Sequence, residues 1–126
     1  MAFSTFDLHP DLLKGVKSLG FTRPTPIQND SIPPALAGRD VLACAMTGSG
    51  KSAAFLLPIL NRLMGKKRGT TRALILTPTR ELAAQIDEHL RDLAVHSPIS
   101  GAAVFGGVGM GPQEHAFRTG VDVLVA

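Results

Sequence analysis

The residues best suited to chemistry lie in one run, Ala45-Met46-Thr47-Gly48-Ser49-Gly50-Lys51-Ser52. Gly48 and Gly50 let the backbone curl so that successive N–H groups converge on an anion. Lys51 brings a point charge suited to terminal phosphates, and the Ser52 hydroxyl can ligate Mg²⁺. Met46, Thr47 and Ser49 complete the loop. Such a phosphate cradle works when a strand delivers the chain to it and a helix leaves it, because the helix N-terminus adds its own partial positive charge. The general pattern opens on Gly. Here that position is Ala45, which fits ordinary strand-exit dihedrals. The plain alternative is a Gly-rich turn with no ligand.

The flanking elements supply that context. Residues 40–45 form a short apolar run between turn signals, read as a strand covered on both faces. Cys44 inside it reads as a small core residue. Residues 52–64 read as a helix that stops at Gly65. Further strands are predicted at 73–77, 102–105 and 121–125, and further helices at 81–96 and 112–118. Upstream, residues 3–21 hold a lead-in and a short helix, with Leu12, Leu13, Val16 and Leu19 at helical spacing, Pro10 in the first turn and Gly20 as the stop. A second helix is expected over 27–37, limited by Pro33-Pro34. Strand alternating with helix-length crossovers argues for an α/β fold with a parallel sheet.

Composition narrows the function classes. The chain of 126 residues allows one domain, and 44% apolar against 18% charged residues can bury a core. Apolar runs fall short of a membrane span, and Met1–Pro10 does not resemble a signal peptide. The single cysteine excludes an internal disulfide framework, and no Cys/His spacing suits zinc. A reducing, cytoplasmic setting is the expectation. The net charge of +3 permits nucleic-acid binding without arguing for it. With no Trp or Tyr, base stacking falls to Phe, His or Arg. Lys66-Lys67-Arg68 reads as a solvated basic loop. His9, His89, His96 and His115 form no nucleophile or metal constellation.

Three further segments narrow the phosphate loop to one family. Gly20-Phe21-Thr22-Arg23-Pro24-Thr25-Pro26-Ile27-Gln28 resembles the Q motif of DEAD-box RNA helicases. Ala45–Ser52 resembles their motif I, where Ala at the first position is usual and the final Thr is here Ser52. Pro78-Thr79-Arg80-Glu81-Leu82-Ala83 resembles motif Ia, and Gly106-Gly107 matches the GG motif. The four segments follow the family's order across essentially the whole chain.

The resemblance implies a P-loop, RecA-like α/β fold, a parallel sheet flanked by helices and cut off after about four strands. Residues 1–38 form the Q-motif region and 39–126 a partial first RecA-like domain. It implies ATP or ADP and Mg²⁺ as cofactors. In the family the Q-motif Gln reads adenine, so Gln28 implies ATP over GTP: its carboxamide can pair twice with adenine, whereas guanine offers two acceptors. An upstream aromatic stacks on the base, and Phe3, 17 residues before Gly20, has the family's spacing. Phe21, Arg23 and Thr25 belong to the same base-reading loop. Motif Ia grips single-stranded RNA backbone, which assigns Pro78, Thr79 and Arg80 to RNA, with Gly106 and Gly107 letting a phosphate approach closely. Taken alone, Thr79 reads better as a helix cap and Arg80 as a solvated side chain.

The Asp-Glu-Ala-Asp acid box, the Ser-Ala-Thr motif and the second lobe with its arginine finger are not in the sequence. The sequence reading is therefore an N-terminal ATP-binding piece of an RNA helicase whose parent unwinds short duplexes, inactive by itself. The competing reading is a stand-alone nucleotide- or RNA-binding module without catalysis. Strand 40–45 is expected to lack its usual neighbour, which predicts a homodimer formed through the incomplete sheet.

Overall fold

The computed structural model describes residues 2–46, 48–65, 70–104 and 121–126. A 3₁₀ turn over Phe3–Phe6 leads into α1 (Pro10–Ser18), α2 (Pro26–Leu36) and α3 (Lys51–Leu63). Then follow β1 (Ala73–Ile75), α4 (Arg80–Leu93), β2 (Gly101–Ala103) and β3 (Val123–Val125). The helix starts obey local chemistry. Pro10 and Pro26 occupy first-turn positions whose N–H would be unpaired in any case. Thr79 caps α4 by accepting from the Leu82 N–H at 3.1 Å.

Among the described residues the sheet has three parallel strands in the order β1-β3-β2. Ala73, Leu74 and Ile75 stand opposite Val123, Leu124 and Val125, which in turn face Gly101, Ala102 and Ala103. The central β3 is buried along its whole length, which explains its unbroken apolar sequence. α4 lies across β2 and β3, α2 packs along α3, and α1 bridges α3 and α4. One core joins Leu12, Val16, Ile32, Leu56, Leu60, Ile86, Leu90 and Val125. Gly15 lets α1 touch the C-terminal end of α4: a Cβ there would run into the Leu93 carbonyl.

The expected strand over residues 40–45 does not form. A strand exists only where a neighbour takes its backbone hydrogen bonds, and the described strands place β1 at one sheet edge and β2 at the other. The segment is instead an unpaired, mostly exposed stretch in which Leu42 is 97% exposed. Cys44 is accordingly exposed rather than a core residue. The predicted helix 112–118 lies outside the described residues, as do Thr47, Gly106, Gly107, His115 and Lys66-Lys67-Arg68.

Candidate nucleotide and RNA site

The phosphate loop is held by a helix pair rather than by a strand. Gly48 and Gly50 adopt φ of +82° and +83°, left-handed conformations that side chains disfavour. The Ser49 N–H donates to the Met46 carbonyl at 3.2 Å and closes the turn. Gly50 is the N-cap of α3, so Lys51 and Ser52 form its first turn, where backbone N–H groups have no helical acceptor. Lys51 is exposed, Ser52 half-buried, and the Ser49 hydroxyl is buried without a hydrogen-bond partner. These groups suit an oxyanion at the head of α3.

Gln28 joins this loop to the segment before α2. It lies at N3 of α2, and its Oε1 accepts from the Thr25 N–H at 2.9 Å. Its Nε2 donates to the Gly50 carbonyl at 3.1 Å. The side chain is only 2% exposed. Each amide end still has one bond to give, an N–H and a carbonyl lone pair. Adenine needs those two from a carboxamide. A Cβ on Gly50 would collide with Gln28 Nε2, so the glycine serves the close approach of the two segments as well as the dihedral.

Three aromatic rings, Phe3, Phe6 and Phe21, pack together. Phe3 is 4% exposed, its ring edge-on to Phe6 at 5.9 Å and stacked on Phe21 at 6.4 Å. Phe3 is thus packed between two other rings in this structure. Phe21 is the accessible ring, 42% exposed, with the exposed Arg23 two residues on.

Motif-Ia residues gather elsewhere, at the carboxyl edge of the sheet. Pro78, Thr79 and Arg80 are exposed between β1 and α4. The Thr77 N–H donates to the Ala126 carbonyl at 2.6 Å, and its hydroxyl bonds the Thr79 carbonyl at 3.0 Å. The Val104 N–H donates to the Val125 carbonyl at 2.7 Å. The ends of all three strands are thus tied side by side. A groove of about 730 Å³ runs between α2, α3, α4 and the β1 edge, with Lys51 and Ser52 in its lining and mainly apolar walls from Phe55, Ile59, Ile75 and Leu82.

A polar node missed by sequence reasoning lies at the opposite ends of the strands. Asp122 is fully buried. Its Oδ1 accepts from Arg72 Nη2 at 2.7 Å, and its Oδ2 accepts from the Ser100 N–H at 2.9 Å. The signal was present: an acid inside the apolar run Val121-Asp122-Val123-Leu124-Val125 has to find a buried partner.

Among the described residues no group of three His, Cys, Asp or Glu side chains could hold a metal ion, and no helix is long and apolar enough to cross a membrane. Glycine cradle, helix N-terminus and lysine on a parallel α/β scaffold define a phosphate-loop nucleotide-binding domain. Comparison with known proteins carries this further. The model of the DEAD/DEAH box helicase family matches residues 25–126, and the chain belongs to that family. It is 50% identical over 127 residues to the ATP-dependent RNA helicase SrmB of Escherichia coli (strain K12), covering 98% of this chain and 29% of that protein. Identity to the probable ATP-dependent RNA helicase DDX27 of Homo sapiens is 44%, over 100% of this chain and 17% of that one. Among solved structures, the RNA-helicase Prp28 from Chaetomium thermophilum bound to ADP superposes with a TM-score of 0.91 at 39% identity, covering 99% of this chain and 31% of that chain. The chain therefore spans less than a third of each of these relatives.

Proposed function

We propose that this chain is the adenine-nucleotide-binding part of an ATP-dependent RNA helicase. The observation carrying the reading is the Gln28–Gly50 hydrogen bond, which ties the base-reading amide to the phosphate loop. In this reading Gln28 selects adenine with its two spare bonds, Phe21 offers the stacking ring with Phe3 behind it, and Arg23 and Thr25 hold the loop. Met46, Thr47, Gly48, Ser49 and Gly50 surround the phosphates, Lys51 neutralises the terminal one, and the Ser52 hydroxyl would hold Mg²⁺, which would supply further charge neutralisation there. Pro78, Thr79 and Arg80, with Gly106 and Gly107, take single-stranded RNA backbone. Phosphoryl transfer also needs acids to hold the metal and place water, so the 126-residue chain binds nucleotide without turning it over.

Titration with ADP, GDP and inorganic pyrophosphate tests this. The wild type prefers ADP, and Gln28→Ala weakens ADP by about 1–3 kcal/mol, by analogy with bidentate base readout. Equal ADP and GDP affinity in the wild type removes Gln28 as the base reader. A mutant loss that is as large for pyrophosphate as for ADP assigns Gln28 to loop support alone.

A specific observation supports self-association in addition. Residues 40–45 form no strand, Leu42 is almost wholly exposed, and among the described strands β1 lies at the sheet edge. Such backbone recruits a second strand, and a second copy of this chain is the proposed donor. Light scattering at micromolar concentration decides, and a monodisperse monomer rejects it. An exposed, unpaired Cys44 suits a reducing compartment such as the cytoplasm.

A further inference from the structure

We propose that Asp122 is a positioning residue for RNA: from the amino ends of the strands it sets the height at which their carboxyl ends present the RNA-facing loop. The inference rests on the reading that Pro78–Arg80 contacts RNA.

The node reaches both neighbours of β3 at once. The Asp122 carboxylate takes Arg72, which leads into β1, on one oxygen and Ser100, which leads into β2, on the other. The Ser100 hydroxyl adds a longer contact to Oδ2 at 3.3 Å. Backbone bonds repeat the pattern. The Asp122 carbonyl accepts from Arg72 and Ala73 N–H at 3.0 and 3.1 Å, and the Val123 N–H donates to the Ser100 carbonyl at 3.0 Å.

Register needs such a device here. Each pairing spans only three residues, and the β1 and β2 sequences, Ala-Leu-Ile and Gly-Ala-Ala, are apolar or small throughout. Side-chain alternation therefore does little to oppose a slip. A slip by one residue would move a strand about 3.3 Å along its neighbour and reverse its faces. It would also carry Thr77 away from Ala126, and with it the Thr79 cap and Arg80. A hydrogen bond to phosphate does not survive a displacement of that size. A buried carboxylate that bonds Arg72 on one side and Ser100 on the other opposes the slip, since misregistry of either strand breaks the bond to that side. The phosphate loop is held by Gln28 and α3 and does not depend on this register.

The test uses the 126-residue chain, with Asp122→Asn and the milder Ser100→Ala and Arg72→Met. Three readouts are taken: amide spectra, affinity for a short fluorescein-labelled single-stranded oligouridylate, and ADP affinity. The expected result is altered Thr77–Leu82 and Val104 amides, RNA affinity lowered about tenfold or more, and ADP affinity within about twofold of wild type. If Asp122→Asn does not fold, the two milder variants decide on the same readouts. RNA and ADP affinities that fall together, in proportion to lost stability, overturn the proposal in favour of a purely structural ion pair. Unchanged amides in all folded variants overturn it as well. A wild type that fails to bind RNA while the amide shifts still appear refutes the RNA reading and leaves the register role standing as a separate result.

Discussion

Replacing Gly50 with Ala separates the two demands on that position. The φ of +83° is the first demand. An L-residue held there costs about 1–2 kcal/mol. The second is contact: the new Cβ would collide with Gln28 Nε2 and come within 3.2 Å of Thr25 Oγ1. Relief requires Gln28 to withdraw, breaking its bond to the Gly50 carbonyl and leaving a buried amide donor unpaired, a further loss of about 1–3 kcal/mol. The expected total is about 2–5 kcal/mol. Gly48 is the internal control, because its φ is +82° but a Cβ there meets nothing within 4 Å. Gly48→Ala therefore carries the dihedral part alone, about 1–2 kcal/mol. Denaturant unfolding and ADP titration of both variants measure the difference. A Gln28→Ala background should remove most of the excess at Gly50, giving a coupling energy of at least about 1 kcal/mol in the double-mutant cycle. Equal losses for Gly48→Ala and Gly50→Ala, or strict additivity with Gln28→Ala, would refute the reasoning.

Other outcomes follow from the geometry. Gly15→Ala should destabilise the chain by about 1–3 kcal/mol, because the methyl meets the rigid Leu93 carbonyl rather than a movable side chain; thermal unfolding reads this, and a neutral substitution would mean that α1 shifts freely on α4. Thr79→Ala should lose about 1 kcal/mol of stability with the α4 cap, and Thr79→Ser should retain most of it, as judged by chemical denaturation. Cys44 should react with a maleimide at the rate of a small exposed thiol in the monomer and more slowly as concentration drives self-association. A rate independent of concentration in a demonstrated dimer would remove residues 40–45 from the interface.

Much of the architecture was legible because local signals agreed with one another. Helical spacing of Leu12 and Val16, Pro10 at the start of the first helix and the apolar run of β3 each have a local cause that the folded chain preserves. The phosphate loop was legible for the same reason, since its glycines and lysine are adjacent in the chain. Residues 40–45 were misread because apolarity reports what a segment prefers to bury, whereas strand formation depends on a neighbour that composition cannot supply. The packing of Phe3 against Phe6 and Phe21 is not visible in spacing, because only the fold brings the three rings together. The Asp122 node joins residues up to 50 positions apart, beyond the reach of any local pattern.

The bond between Gln28 and Gly50 closes a loop of only 22 residues, whereas the Arg72–Asp122 pair closes one of 50. Loop-closure entropy rises slowly with length, but a chain made vectorially on a ribosome meets these two closures at different times. The contacts between α2 and α3 become available once Leu63 has emerged, while β1 and β2 have no central partner until Val125 appears. The amino-terminal half therefore has the partners of the Gln28–Gly50 bond in hand before any sheet exists.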